Sequence, residues 1–151
     1  MFELNLPLTQ LRTKEEDSKL RVFDVFRNKF VLLTPEEWVR QQLLHFLINN
    51  YDYPQNLIAV EKSIVVNKQL RRYDAVIYSK ANKPIMIIEC KAPKIKLTSS
   101  VFDQIISYNQ CLDVEYLLIT NGMNHYCIHY TRAMARIWNF MEEIPNYNAL
   151  I

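Results

Sequence analysis

Asp74, Glu89 and Lys91 are the residue types that hold a hard cation and stabilise negative charge on a reacting group, and they lie at the ends of two apolar runs. The runs, Ala75 to Tyr78 and Ile85 to Ile88, flank a polar turn at Ser79 to Lys83. Their β-branched and aromatic content predicts a hairpin. Pairing the runs brings Asp74, which opens the first, to the same end as Glu89 and Lys91, which close the second. Glu89 and Lys91 share a face because strand side chains alternate, and Cys90 between them points into the core.

A surface salt bridge at a strand end would account for any one of these residues. The context argues for more. The Ile85 to Ile88 run is apolar at every position, as expected of a central strand covered on both faces, and charge directly after such a strand has to be paired or functional. Two converging acids repel unless a cation lies between them. Lys91 supplies part of that charge, but Mg2+, commonly held by one or two carboxylates, waters and substrate phosphate, fits the set better. Metal-dependent phosphodiester chemistry is therefore expected.

Asp74 followed by Glu89-Cys90-Lys91 resembles the Asp...(Asp/Glu)-X-Lys signature of the PD-(D/E)XK nuclease superfamily. Three residues alone are weak support. The next segment adds Gln104 and Tyr108, which resemble the Gln-X-X-X-Tyr motif accompanying the signature in nucleases tied to DNA motors. The whole order is similar to the nuclease domain at the N-terminus of type I restriction endonuclease motor subunits, over about Thr34 to about Tyr130. Two departures stand out: no helicase follows, and Tyr73 stands where a proline often precedes the first Asp.

The resemblance implies a restriction-endonuclease-like α/β fold and roles for named residues. Asp74, Glu89 and the Cys90 backbone carbonyl would hold Mg2+, with Mn2+ as a substitute. Lys91 would orient the attacking water, and Gln104 would bond the reacting phosphate or that water. Tyr108 would brace Gln104 or touch the DNA backbone, although an aromatic at its helical position also reads as core. A glutamate from the first helix often supports the metal site in the superfamily; Glu36 is the candidate by periodicity and Glu37 by proximity, and helix capping explains either equally well. Glu61 could reach the site from a neighbouring strand, but a cross-strand pair with Arg71 or Arg72 is the more economical account. Lys68, Arg71 and Arg72 precede Asp74, and Lys91, Lys94 and Lys96 follow Glu89, so both approaches to the site are basic. Arg72, Lys94 and Lys96 are the DNA-contacting candidates, with an ordinary solvated loop as the alternative.

The elements that position these groups can be read in order. Val22 to Phe26 suggests a short strand, with Phe30 to Leu33 returning beside it. Thr34-Pro35-Glu36-Glu37 is a helix start, with Thr34 as N-cap, Pro35 at the first helical position and Glu37 completing a capping box. The helix should run to about Asn49 with Val39, Leu43, Phe46 and Leu47 buried and Glu36 projecting on that side. Leu57 to Val66 reads as the first core strand. A second helix, Ser99 to Leu112, is capped by Thr98 or Ser99 and packs through Val101, Ile105, Tyr108 and Leu112. Glu115 to Thr120 follows a helix, so it should pair parallel to the catalytic strand. Asn121-Gly122 turns the chain into Asn124 to Tyr130, which carries His125 and His129 as surface residues of an edge strand. Ala133 to Phe140 is open between strand and helix, and Met141 to Ile151 reads as a tail packed through Ile144 and Tyr147. The architecture is α/β: a mixed sheet flanked by helices, with an αβββαβ core and extra strands at both ends.

Composition sets the remaining bounds. With 151 residues, half of them hydrophobic, the chain can bury one substantial core, so residues 1–151 are expected to form a single domain. Its apolar runs are shorter than a membrane span and no secretory layout is seen at the N-terminus, which points to a cytoplasmic protein. Cys90, Cys111 and Cys127 lack metal-ligand spacing and read as reduced core residues. A net charge of +2 decides little, because basic residues can concentrate on one face. DNA is the expected partner, with separate restriction or motor subunits as further ones. A second reading keeps the fold and the site but makes the chain a weakly active DNA-binding or partner-docking module.

Overall fold

The computed structural model describes residues 2–66, 69–112, 114–131 and 137–151, with the side chains at 64, 66, 69, 71, 108–112 and 137 left aside. Two sheets and two long helices make up the fold. The first sheet is β1 (Thr13–Glu16), β2 (Lys19–Asp24) and β3 (Lys29–Leu32), joined as antiparallel neighbours. β2 and β3 were legible from the sequence, but β1 was not. Its hairpin turn, Asp17-Ser18, carries positive φ at both positions without glycine, so the usual turn signal is missing.

Helix α1 (Pro35–Tyr51) starts where Thr34 accepts the Glu37 N–H at 3.1 Å, with Pro35 in the first turn, where no N–H is needed. The reciprocal half of the capping box does not form. The Thr34 N–H bonds the Leu32 carbonyl, and Glu37 turns to Arg40 and Gln41 instead. A single apolar face also understates α1: Trp38 to Leu44 is an unbroken buried stretch. The N-terminal segment lies against it, with Gln42 bonding both the N–H and the carbonyl of Thr9 at 2.8 and 2.9 Å. Asp52 ends the helix in the left-handed conformation that an αL cap requires.

The second sheet has the order β4 (Ile58–Val66), β5 (Gln69–Tyr78), β6 (Pro84–Cys90), β7 (Tyr116–Thr120), β8 (His125–Thr131), β9 (Ile137–Phe140). The β5–β6 hairpin forms as the sequence predicts, with Ala75 opposite Ile88. After α2 (Ser99–Leu112), β7 pairs parallel to β6. Cover on both faces is visible in the alternation. Met86, Ile88 and Leu118 pack with Val39, Leu43 and Leu47 of α1, while Ile87, Leu117 and Ile119 pack with Ile105 of α2. Each fully buried side chain of this kind contributes roughly 1.5–3 kcal/mol of transfer free energy, so the catalytic-strand candidate is anchored from both sides.

Strand β8 is not an edge, because β9 pairs outside it. The two histidines are accordingly half-buried and engaged rather than free on the surface. His125 sits between the Thr120 hydroxyl and the Asn5 carbonyl at 2.8 and 3.0 Å, and His129 stacks on Tyr116 at 4.7 Å between centroids. Ala133 to Arg136 lie outside the described residues; Ile137 onward is strand. The tail returns as expected, with Tyr147 buried and its hydroxyl donating to the Tyr78 carbonyl at 3.0 Å.

Turns here use little glycine. Gly122 is the single glycine of the chain, at φ +81°, and a Cβ there would come within 2.6 Å of the Leu4 side chain. Elsewhere Asp17, Ser18, Asn28, Asp52, Glu61 and Asn82 carry positive φ themselves.

Candidate active site

The site is assembled where β5, β6 and the start of α1 meet. The printed register ends with Ala75 opposite Ile88, so one step further sets Asp74 across from Glu89. The Cys90 N–H donates to Asp74 Oδ2 at 2.6 Å, tying the two strands together at the carboxylate. Lys91 Nζ donates to Glu89 Oε1 at 2.6 Å, as alternation along the strand predicts. The Lys91 N–H is held by the Thr120 carbonyl at 2.8 Å, so the strand's exit is fixed by β7. The Cys90 side chain is fully buried.

Burial and mutual repulsion dominate the electrostatics. Burial, then the neighbouring charge of Glu89, then that of Glu36, push the Asp74 carboxyl up to about 7 against the Cys90 N–H and Arg40, which act the other way. Glu89 is raised by burial and by Glu36, although Lys91 opposes the shift. Burial works against a charged Lys91, yet its bond to Glu89 and the charges of Glu89, Asp74 and Glu36 hold its pKa above the ordinary lysine value. Three carboxylates thus act on one another, with one ammonium among them.

Glu36 is exposed at the first turn of α1, as its place at the helix end allows, and it lines a cavity of about 160 Å³ with Thr34, Glu37, Arg40, Glu61, Arg72 and Asp74. The periodicity argument therefore puts it beside the site, though not in the core. Glu37 faces the same cavity but is engaged by Arg40 at 2.5 Å, Gln41 at 2.7 Å and Arg27 at 3.2 Å. Glu61 adopts φ +52° and pairs with Arg72 at 2.7 Å, the cross-strand partner expected of it, and with Arg40 at 3.3 Å. Gln104 is exposed on α2, outside the cavity lining. The Tyr108 side chain lies outside the described residues. Lys94 and Lys96 are exposed on the loop after β6, with Lys94 Nζ 5.9 Å from the Phe2 ring centroid.

Arg40 was not anticipated. It is 2% exposed and reaches Asp24, itself fully buried, at 3.2 Å, so it links the N-terminal sheet to the cavity wall through Glu37 and Glu61. A signal existed in the sequence: an arginine directly after the apolar pair Trp38-Val39 and three residues before Leu43-Leu44, and itself three residues after an acid. A cation in that setting has to be paired.

Residues 35–145 match the family described as type I restriction enzyme R protein N terminus. The match spans well over half the chain, and the protein belongs to that family. Among solved structures, a fragment assigned as the HsdR subunit of a type I restriction enzyme from Vibrio vulnificus aligns with a TM-score of 0.54 at 14% identity, over 78% of this chain. This chain spans 24% of that one. A DUF820 protein from Anabaena variabilis, assigned as a nuclease, aligns at a TM-score of 0.46 and 12% identity over 91% of this chain and 80% of its own. No curated protein sequence matches. The fold is restriction-endonuclease-like, and the chain is a domain of the type I restriction enzyme R-protein N-terminal kind.

Proposed function

We propose that the chain is a divalent-metal-dependent deoxyribonuclease that hydrolyses phosphodiester bonds at the Asp74, Glu89 and Lys91 site. The observation that carries this reading is the convergence of Asp74 and Glu89 at the end of a doubly buried strand, both raised by burial and neighbouring acids, with Lys91 bonded to Glu89. Stored like-charge repulsion at such a place marks a site built for a positively charged occupant.

The donor set fits Mg2+. All its side-chain donors are carboxylate oxygens, and their repulsion is relieved by a cation. Among the described residues no three His, Cys, Asp or Glu side chains are placed to ligate one ion, so the remaining ligands would be water, the Cys90 carbonyl and substrate phosphate, which is usual for Mg2+. Bound there, the ion would supply charge neutralisation at the phosphate and a lowered pKa for water.

The chain's own groups supply the rest. Lys91 has its ammonium pinned to Glu89 and two further N–H donors to direct at the attacking water and at the charge developing on the phosphoryl oxygens. Its raised pKa keeps it cationic throughout the physiological range. Water adds to phosphorus, one P–O ester bond breaks, and the leaving oxygen ends as a hydroxyl. Lys94 and Lys96 would attract the backbone to the site, and Gln104 would contact the phosphate or the water.

Incubation with supercoiled plasmid, linear duplex and single strands in Mg2+, Mn2+ or EDTA tests the reading. Nicking in metal that disappears in EDTA and in Lys91→Ala is expected. DNA binding with no metal-dependent break in any substrate would show a docking module instead.

A further inference from the structure

Strands β4 and β5 continue together beyond the end of β6. β6 pairs with β5 only from Ala75 to Tyr78, whereas β4 accompanies β5 from Ile58 opposite Ile77 out to Val66 opposite Gln69. Tyr73 is still buried, at 1% exposure; past it the two strands form a ribbon with no third strand neighbour among the described residues.

On this ribbon Ser63 stands opposite Arg72, and Val65 stands opposite Leu70. The two pairs are two residues apart, so they occupy one face. It is the face of the candidate site, because Arg72 lines the cavity with Asp74. Val65 is 68% exposed and Leu70 71%, the two highest values among the exposed large hydrophobic residues. A facing valine–leucine pair held open to water on an outer hairpin is unfavourable for the isolated chain and marks a contact surface.

Position selects the partner. The pair shares its face with Arg72, whose side chain is 68% exposed and which, with Arg40, neutralises the nearby acid Glu61, and that face runs on into the candidate site. Resting on the reading of the site as acting on DNA, we propose that the β4–β5 ribbon is a DNA-contacting arm in which Val65 and Leu70 form an apolar wedge pressed against or between bases. A two-stranded ribbon fits the major groove, and apolar side chains inserted at base steps unstack them. Leu70 lies four positions from Asp74, or roughly 13 Å at strand rise. The wedge thus meets bases about four nucleotides from the phosphate being cleaved, at 3.4 Å per nucleotide along a strand.

The test uses the full chain and Val65→Ser with Leu70→Ser, with Ca2+ in place of Mg2+ to hold the complex without cleavage. Affinity is measured by anisotropy across a salt series, and base unstacking by fluorescence of 2-aminopurine placed at several positions in a short duplex. The parent should brighten the probe. The double variant, melting as the parent does, should bind about tenfold more weakly, lose the brightening and keep the parent's salt slope, since its phosphate contacts remain. A parent that cleaves DNA, beside a double variant with unchanged affinity and brightening, would overturn the arm while leaving the active site standing. So would a dimer seen by sedimentation in the parent and abolished in the variant at equal DNA affinity, because the pair would then join two copies of the chain. A parent that neither binds nor cleaves DNA removes the reading of the site and the arm with it.

Discussion

The backbone N–H of Cys90 donates to the carboxylate of Asp74 at 2.6 Å, so the residue between Glu89 and Lys91 fixes the acid of the neighbouring strand. The bond favours the ionised form of Asp74, yet burial and the charges of Glu89 and Glu36 outweigh it and leave the carboxyl near 7. That balance sets a pH dependence. Below about pH 4 the carboxyl is protonated whether the chain is folded or not. Between there and about 7 the unfolded chain gives up its proton first, so Asp74 makes stability fall as pH rises, and above 7 the loss is complete. Asp74→Asn, which keeps an acceptor for the Cys90 N–H, should flatten this profile and melt at or above wild type at pH 8 without metal. Asp74→Ala should melt below Asp74→Asn, because it strands the buried N–H. Melting curves from pH 4 to 8 in EDTA check both. Cleavage in Mg2+ should rise with pH and level off below 7, because a bound cation favours the ionised carboxyl.

Metal should stabilise the fold measurably. With a dissociation constant of ~1 mM, ~10 mM Mg2+ would add about 1.4 kcal/mol, a shift of a few degrees for a chain of this size. Asp74→Asn and Glu89→Gln should lose most of that rise together with cleavage. Variants that are destabilised in EDTA and still respond normally to Mg2+ would make both acids ordinary salt-bridge partners.

Arg40 is expected to matter for folding first. Its removal leaves Asp24, fully buried, and Glu37 with one cation fewer between them. Arg27 remains, at 2.5 Å from Asp24. Arg40→Ala should therefore cost about 3–5 kcal/mol, and Arg27→Ala less, because its side chain is partly exposed. Urea denaturation of the two variants ranks them, and equal small losses would mean that the network is not holding the N-terminal sheet.

Gln104 and the two lysines of the loop after β6 are exposed, so their substitution should separate function from stability. Gln104→Ala should lower cleavage with a stability change within about 0.5 kcal/mol. Lys94→Ala with Lys96→Ala should weaken binding to every sequence alike and reduce the salt slope by roughly 2. A large fall in melting temperature with normal specific activity would assign Gln104 to packing.

The hairpin carrying Asp74, Glu89 and Lys91 was readable because its information is local: two apolar runs, one polar turn and a period of two. The parallel partner β7 was equally readable, since a helix must intervene. What escaped notice was non-local. Arg40 looks like an ordinary polar residue of α1 until Asp24, sixteen residues away, is folded against it. The burial of Gln42 on α1 depends on Thr9, and the interior place of β8 depends on β9, neither of which leaves a periodic trace in the partner's sequence. Glu37 lost its capping role to guanidinium groups for the same reason.

The near absence of glycine leaves the fold with unclaimed thermal margin. Asp17, Asn28 and Asn82 hold left-handed backbone in turns, a conformation that costs an L residue more than it costs glycine. Glycine at each would relieve up to about 1 kcal/mol of that cost, less the extra freedom it gives the unfolded chain. Glu61 is the exception, since its side chain ties Arg72 to Arg40 across the cavity wall. The other turns are thus sites where a heat-tolerant form could be sought without touching the candidate site.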